Sequence, residues 1–209
     1  MDGLILIGVP ASTYVRVCRI ALAEKGVTYE LVPARPHSPD VTAINPLGKV
    51  PVMRHGSVTL SESSAIARYI DQVFPGPALF PTDPVGNAYT EQWVSRVNSS
   101  LDLVLVRQYL IPYIFPGGPD GAPDRSKIDP VIPAVTKALE LVQTGVAATG
   151  HLVGDQFTFA DINLIPILEY LQMTPEAGSF IAQSQPIQSY LKRHAARESV
   201  ASTVAKRAA

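Results

Sequence analysis

Prolines at 75, 77, 81 and 84 divide this chain into two stretches that obey different periodicities. A segment so rich in proline is stiff and can continue neither a helix nor an inner strand, so Phe74 to Pro84 is read as a linker and a domain boundary. Before it, apolar runs of strand length alternate with helical stripes. After it the strand signals stop, and every remaining pattern has helical spacing.

The first stretch opens with Leu4-Ile5-Leu6-Ile7, a continuous apolar run that suits a strand buried on both faces. A helix follows from near Ser12, with Tyr14, Val17, Cys18, Ala21 and Leu22 as its apolar stripe and Lys25-Gly26 as its end. Val27 to Pro33 reads as a second strand, and Ala34 to Ala43, broken by Pro36 and Pro39, as a loop in which Asp40 can cap a short helix. Then Val50 to Met53, the turn His55-Gly56-Ser57 and Val58 to Leu60 form a hairpin, and Ser61 caps a helix. Its stripe is Ile66, Tyr69, Ile70, Val73 and Phe74, with Arg68 and Asp71 outside. The order β-α-β, connection, β-β-α is that of a thioredoxin-like α/β domain, assigned to residues 1–75.

Residues 85–209 are assigned to an all-α helical domain. Residues 85–115 form one long helix or two, with Trp93, Val97, Leu101 and Val104 on one face. The next helix starts at Asp129-Pro130, with Ile132, Val135, Leu139, Val142 and Val146 as its stripe. Thr158-Phe159-Ala160-Asp161 has the spacing of a capping box, and the helix after it, Ile162 to Leu171, is apolar nearly all round and belongs in the core. Residues 199–209, rich in Ser and Ala, are expected to fray.

Two features of the hairpin and its helix carry chemistry. Pro51 cannot donate to a ladder, and a cis Val50-Pro51 bond turns the Val50 amide and carbonyl outward, where an extended peptide can pair with them. Glu62-Ser63 lies in the first helical turn, where free N–H groups favour a bound carboxylate while the Glu62 carboxylate receives an ammonium.

The pattern NP-x-G-x-VP, a short turn, then L-x-ES-x-AI-x-x-YI resembles the glutathione site of glutathione transferases. The segment HLVGDQFTFADINLIPILEYL also resembles the C-terminal core of that family, and the phi class is the nearest in kind. The resemblance implies that the backbone before Pro51 holds the cysteinyl part of glutathione and that Glu62 and Ser63 hold its γ-glutamyl end. GVPASTYVRVCRIAL resembles the phi-class segment whose serine contacts the sulfur, which aligns that role with Ser12. Thr13 is its one-residue competitor. Lys49, where phi-class members often carry Gln, and His37 lie in segments that the family brings to the glycyl carboxylate.

The implied chemistry is attack of a thiolate on an apolar electrophile. A free thiol ionises near pH ~8.5, and each unit by which a hydroxyl donor lowers that value corresponds to about 1.4 kcal/mol. The electrophile is expected between the domains, against Tyr14, Tyr109, Tyr113 and Phe115. The same thiolate serves glutathione peroxidase chemistry, and a glutathione-dependent isomerase or dehalogenase differs only in the pocket. A non-catalytic transferase-like interaction module is the alternative from another class. The resemblance further implies a role in detoxification and a homodimer.

Composition removes other readings. With 17 Lys+Arg against 18 Asp+Glu and no long run of like charge, nucleic acid is not an expected partner. The tail groups Lys192-Arg193-His194 and Lys206-Arg207 read as a solvated helix end. Cys18 is the only cysteine, so no intrachain disulfide forms and a reducing cytoplasm is the expected location. Leu4 to Val9 is too short for a signal core, and Leu101 to Phe115, interrupted by Asp102, Arg107 and Pro112, is too short and polar to span a membrane. No metal site is expected.

Overall fold

The computed structural model of the chain describes residues 3–204. Its contacts fall into two units, one formed by the described parts of Met1–Thr82 and Ala195–Ala209, the other by Asp83–His194.

The first unit is built on a sheet of order β2-β1-β3-β4. β1 (Leu4–Ile7) is central, parallel to β2 (Tyr29–Val32) and antiparallel to β3 (Val52–His55), which pairs with β4 (Val58–Ser61) through a tight hairpin. α1 (Thr13–Glu24) connects the parallel pair, and α2 (Pro39–Thr42) interrupts the connection to β3. α2 begins after Ser38, so Asp40 lies in its first turn instead of capping it.

α3 (Ser63–Val73) follows β4 without a loop. The strand runs one residue further than its sequence suggests, because Ser61 pairs with Val52; Glu62, and not Ser61, is therefore the N-cap. Ile66, Ala67 and Ile70 are fully buried, whereas Val73 is exposed because the helix ends there. Asp71 is not an outside residue. It pairs with the buried Lys25 ammonium at 2.8 Å and accepts from the Leu79 amide at 2.9 Å, tying the ends of α1 and α3 to the linker.

α1 is buried on more than the expected stripe, since Val15, Arg16 and Ile20 are also sequestered. α3 covers one side of it and α11 (Glu198–Ala201) another. The expected fraying of residues 199–209 is thus corrected for 199–204: Ser199, Val200 and Thr203 are buried, their apolar and hydroxyl groups packed on α1. Lys206-Arg207 lies outside the described residues.

The second unit is helical. α4 (Pro84–Ser95) runs on through a wide-wound π stretch (Arg96–Leu110) into α5 (Ile111–Ile114) as one continuous helix. In the π stretch the backbone bonds reach five residues back, as from the Ile111 amide to the Val106 carbonyl. The wider turn sends Leu105 inward where an ordinary α-helix would send Val104, so the buried line is Trp93, Val97, Leu101, Leu105 and Tyr109. The next helical turn starts earlier than expected. Asp124 caps α6 (Arg125–Ile128), a 3-10 turn contains Asp129 and Pro130, and α7 (Ile132–Ala147) follows.

Trp93 lies against Gly145 of α7 so closely that a Cβ there would sit 2.5 Å from the indole. α8 (Phe159–Leu171), α9 (Pro175–Gln183) and α10 (Gln185–Ala195) complete the unit, and α8 is buried from Phe159 through Leu168. The basic end of α10 is only partly solvated. His194 is 1% exposed, its ring edge-on to Tyr190. Among the described residues no helix is long and apolar enough to cross a membrane.

Candidate functional site

Strand register gathers three segments of the first unit at one end of the sheet. Val52 pairs with both Ser61 and Ile7, so the residues just before Val52, just after Ser61 and just after Ile7 emerge together. These are Val50-Pro51, Glu62-Ser63 and the turn from Gly8 to Ser12. Gly8, at φ +155°, is the pivot of that turn: a Cβ there would lie 2.5 Å from the Val15 side chain and 3.1 Å from that of Val50. Only glycine lets the start of α1 pack this closely against Val50.

The Val50-Pro51 bond is cis. Pro51 is buried and Val50 half-buried, and among the described residues no backbone hydrogen bond reaches the Val50 amide or carbonyl. Strand pairing of β3 begins only at Val52, which leaves this segment as an unpaired edge beside the turn.

Ser12 is the N-cap of α1. Its extended backbone (φ −66°, ψ 131°) aims the side chain over the first turn, yet its Oγ accepts from the Val15 amide only at 3.5 Å, a long and weak bond. The hydroxyl keeps its hydrogen for another acceptor. Thr13, its competitor in the sequence, is 9% exposed and faces the interior, whereas Ser12 is half-buried at the surface of the turn.

Glu62 is more unusual. It adopts φ 65°, ψ 114°, a conformation costly for any residue with a Cβ, and its side chain makes no capping bond although it occupies the N-cap of α3. The residue is exposed, and Ser63 behind it is 7% exposed. Such strain is held in place by the surrounding structure and clusters at ligand-binding and active sites.

The loop before β3 is rigid. Asn45 is buried; its Nδ2 donates to the Lys49 carbonyl at 3.0 Å, its Oδ1 accepts from the Leu47 amide at 3.1 Å, and its carbonyl accepts from the Gly48 amide at 2.8 Å. The His37 amide donates to the Gly48 carbonyl at 2.8 Å, and the His37 ring covers Gly48 so closely that a Cβ there would lie 2.1 Å from Nδ1. His37 and Lys49 are thus exposed side chains on two segments latched together. Sequence reasoning missed Asn45 as the organiser of this loop, although Asn-Pro-x-Gly is the turn signal that betrays it.

The aromatic candidates are divided. Tyr14 is half-buried on α1. In the second unit Phe115 is 71% exposed, while Tyr109 is fully buried, its hydroxyl 3.0 Å from Thr174 Oγ1 and 2.9 Å from Glu176 Oε2 and accepting from the Ala177 amide. Tyr113 donates to the same Glu176 oxygen at 2.5 Å and accepts from Arg125 at 2.7 Å. Burial disfavours the Glu176 carboxylate, but the bonds from Tyr113, Arg125 and Tyr109 outweigh it and hold its pKa down at about 2. Burial first, and then the Glu176 bond, pushes the Tyr113 phenol up, so it works as a neutral hydrogen-bond donor.

One cluster of metal-type ligands occurs among the described residues: donor atoms of His151, Asp161 and His194 lie within 4.8 Å of one another. Each is already committed to the fold. Asp161 accepts from the amides of Leu152 and Thr158 at 2.9 and 3.0 Å and from Tyr190 at 3.1 Å; His151 Nε2 faces the Arg193 guanidinium at 3.3 Å, and His194 Nε2 the Gly150 carbonyl at 3.2 Å. Since Arg can only donate, it takes the His151 lone pair that a metal would need. Cys18 is fully buried, and burial pushes its thiol well above the ordinary range, as an inert core residue.

Comparison with known proteins bears directly on this geometry. A model of the glutathione S-transferase N-terminal domain matches residues 6–78, and one of the C-terminal domain matches residues 106–198. Glutathione S-transferase 1 of Triticum aestivum is 31% identical over 196 residues, which cover 86% of this chain and 84% of that protein. Glutathione S-transferase 3 of Zea mays is 31% identical over 98% of this chain and 95% of its own length.

The chain belongs to the glutathione S-transferase family. Poplar glutathione transferase F1 superimposes with a TM-score of 0.86 at 26% identity, covering 98% of this chain and 97% of that one. These plant enzymes agree with the phi-class resemblance of the sequence, and the thioredoxin-like unit followed by a helical one is the architecture they share. As a glutathione transferase, the protein is an enzyme that uses glutathione as co-substrate.

Proposed function

We propose that this glutathione transferase binds glutathione across the end of its sheet and attacks apolar electrophiles with the bound thiolate, Ser12 donating to the sulfur. The observation that carries the reading is the register that brings the Ser12 turn, the unpaired Val50-Pro51 edge and Glu62-Ser63 to one end of one sheet. An extended cysteinyl backbone pairs with Val50. The γ-glutamyl carboxylate takes the first turn of α3 at Ser63, its ammonium takes Glu62, and the glycyl carboxylate lies toward His37 and Lys49.

A helix N-terminus and a hydroxyl donor both favour an anion, so a sulfur at Ser12 ionises more readily than a free thiol. The half-buried position of Ser12 and its weak capping bond favour it over the buried Thr13. Tyr14, Tyr113 and Phe115 are the proposed aromatic contacts of the electrophile, and Tyr109 braces Tyr113 through Glu176. The same thiolate reduces organic hydroperoxides. The family further favours a homodimer working in detoxification in the cytoplasm.

The deciding experiment is an absorbance titration of the thiolate of bound glutathione from about pH 5 to 9, in wild type and Ser12→Ala. The expected result is ionisation well below pH ~8.5 in wild type and a rise toward that value in the variant. Binding without ionisation removes Ser12 from the mechanism; no binding at all favours a non-catalytic module.

A further inference from the structure

Ser12 caps the start of α1, and something must fix where that helix end points. The segment Arg197 to Thr203, which returns to the first unit and forms α11, holds α1 by buried charge. Arg16, one turn after Ser12, is 4% exposed. Its Nε donates to Thr203 Oγ1 at 3.4 Å and its guanidinium to the Val200 carbonyl at 3.2 Å. Arg19 adds a bond to the Thr203 carbonyl at 2.9 Å. At the far end Glu24 accepts two bonds from Arg197, at 3.0 and 2.7 Å, and one from the Ser199 hydroxyl.

These contacts are more than packing. A buried guanidinium is tolerated only where oxygens meet its N–H groups, and Thr203 and Val200 supply two of those oxygens. Thr203 Oγ1 is itself oriented, since it donates within its own turn to the carbonyls of Ser199 and Val200 at 2.9 and 3.0 Å and offers a lone pair to Arg16. On the other side, the Arg16 amide donates to the Ser12 carbonyl at 3.0 Å. A continuous run of bonds therefore links Thr203 through Arg16 to the backbone of Ser12.

We propose that Arg16 is a positioning residue and that the segment from Arg197 to Thr203 is the strap that sets Ser12 against the sulfur of bound glutathione. The proposal rests on the assignment of Ser12 as thiolate donor. A Ser12 held to its own helix by a long, weak bond is sensitive to where that helix end sits, and a displacement of a few tenths of an ångström lengthens the bond to sulfur.

The test is the thiolate titration of bound glutathione in Arg16→Met and in the milder Thr203→Val, with Lys25→Met as control. That control breaks the ion pair with Asp71 at the other end of α1 and leaves the strap intact. Arg16→Met is expected to raise the thiolate pKa by about one unit and Thr203→Val by about half a unit, lowering the ratio of thiolate to thiol at a given pH roughly tenfold and threefold. Lys25→Met is expected to lower the melting temperature and leave the thiolate pKa in place.

If the two strap variants lose only stability, as the control does, the strap is structural and the proposal is overturned. Thr203→Val carries the test should Arg16→Met fail to fold. Failure of the underlying assignment looks different, because wild-type protein would then bind glutathione without ionising it.

Discussion

Two kinds of helix start in this molecule are made of similar residues and have opposite fates. α8 begins at Thr158, where Asp161 turns back to accept from the Thr158 amide, the Thr158 hydroxyl, the Leu152 amide and Tyr190, at zero exposure. α1 and α3 begin at Ser12 and Glu62, where one cap makes a 3.5 Å bond and the other none. A closed start satisfies its own N–H groups and stabilises a core. An open start leaves those groups and its dipole available to an anion, and gives up local stability in doing so. The same cap chemistry thus serves as a rivet in the helical unit and as a receptor in the thioredoxin-like unit.

The sharpest way to break this comparison is Asp161→Ala. It strands several buried donors and should cost about 3 kcal/mol or more in chemical denaturation while leaving the thiolate pKa of bound glutathione unchanged. A shift of that pKa comparable with that of Ser12→Ala would mean the two starts are not separate devices. Ser12→Ala should do the reverse. We expect kcat/KM to fall about 10- to 100-fold, roughly 1.4–2.7 kcal/mol, and stability to change by no more than about 1 kcal/mol.

Glu62 sharpens the contrast at a smaller scale. Glu62→Gly removes the strain at φ 65° and should gain about 0.5 kcal/mol, whereas both Glu62→Gly and Glu62→Gln should raise KM for glutathione several-fold. If Glu62→Gly gained stability and kept its KM, the strained conformation would serve something other than the ligand.

The smallest effect is a pH slope. Burial pushes the Asp161 carboxyl up to about 6, although its hydrogen bonds oppose the shift. A carboxyl raised in the folded state binds its proton more tightly there than in the unfolded chain. Its contribution to stability is fully present below about pH 4 and is lost as pH rises through about 6. The melting temperature of wild type relative to Asp161→Asn should therefore fall across that window.

Much of this was legible in the chain itself. The continuous run Leu4 to Ile7, the glycine after Lys25 and the Thr158–Asp161 spacing are local signals, and each element appeared where its pattern put it. The misreadings share a cause. Ser61 became strand because its partner is Val52, Leu105 replaced Val104 because the helix widens, and Asp71 left the surface because Lys25 stands opposite. A cap preference or a heptad count contains no information about a partner distant in sequence.

Sequence alone determined most of the segments that are strands and helices and which residue types sit at the helix starts, because periodicity, proline and capping chemistry act over a few residues. Only the tertiary structure decided that three of those segments emerge at one end of one sheet, and that residues 199–204 clasp α1. Both are outcomes of register and of the satisfaction of buried charge, which are settled between segments far apart in the chain.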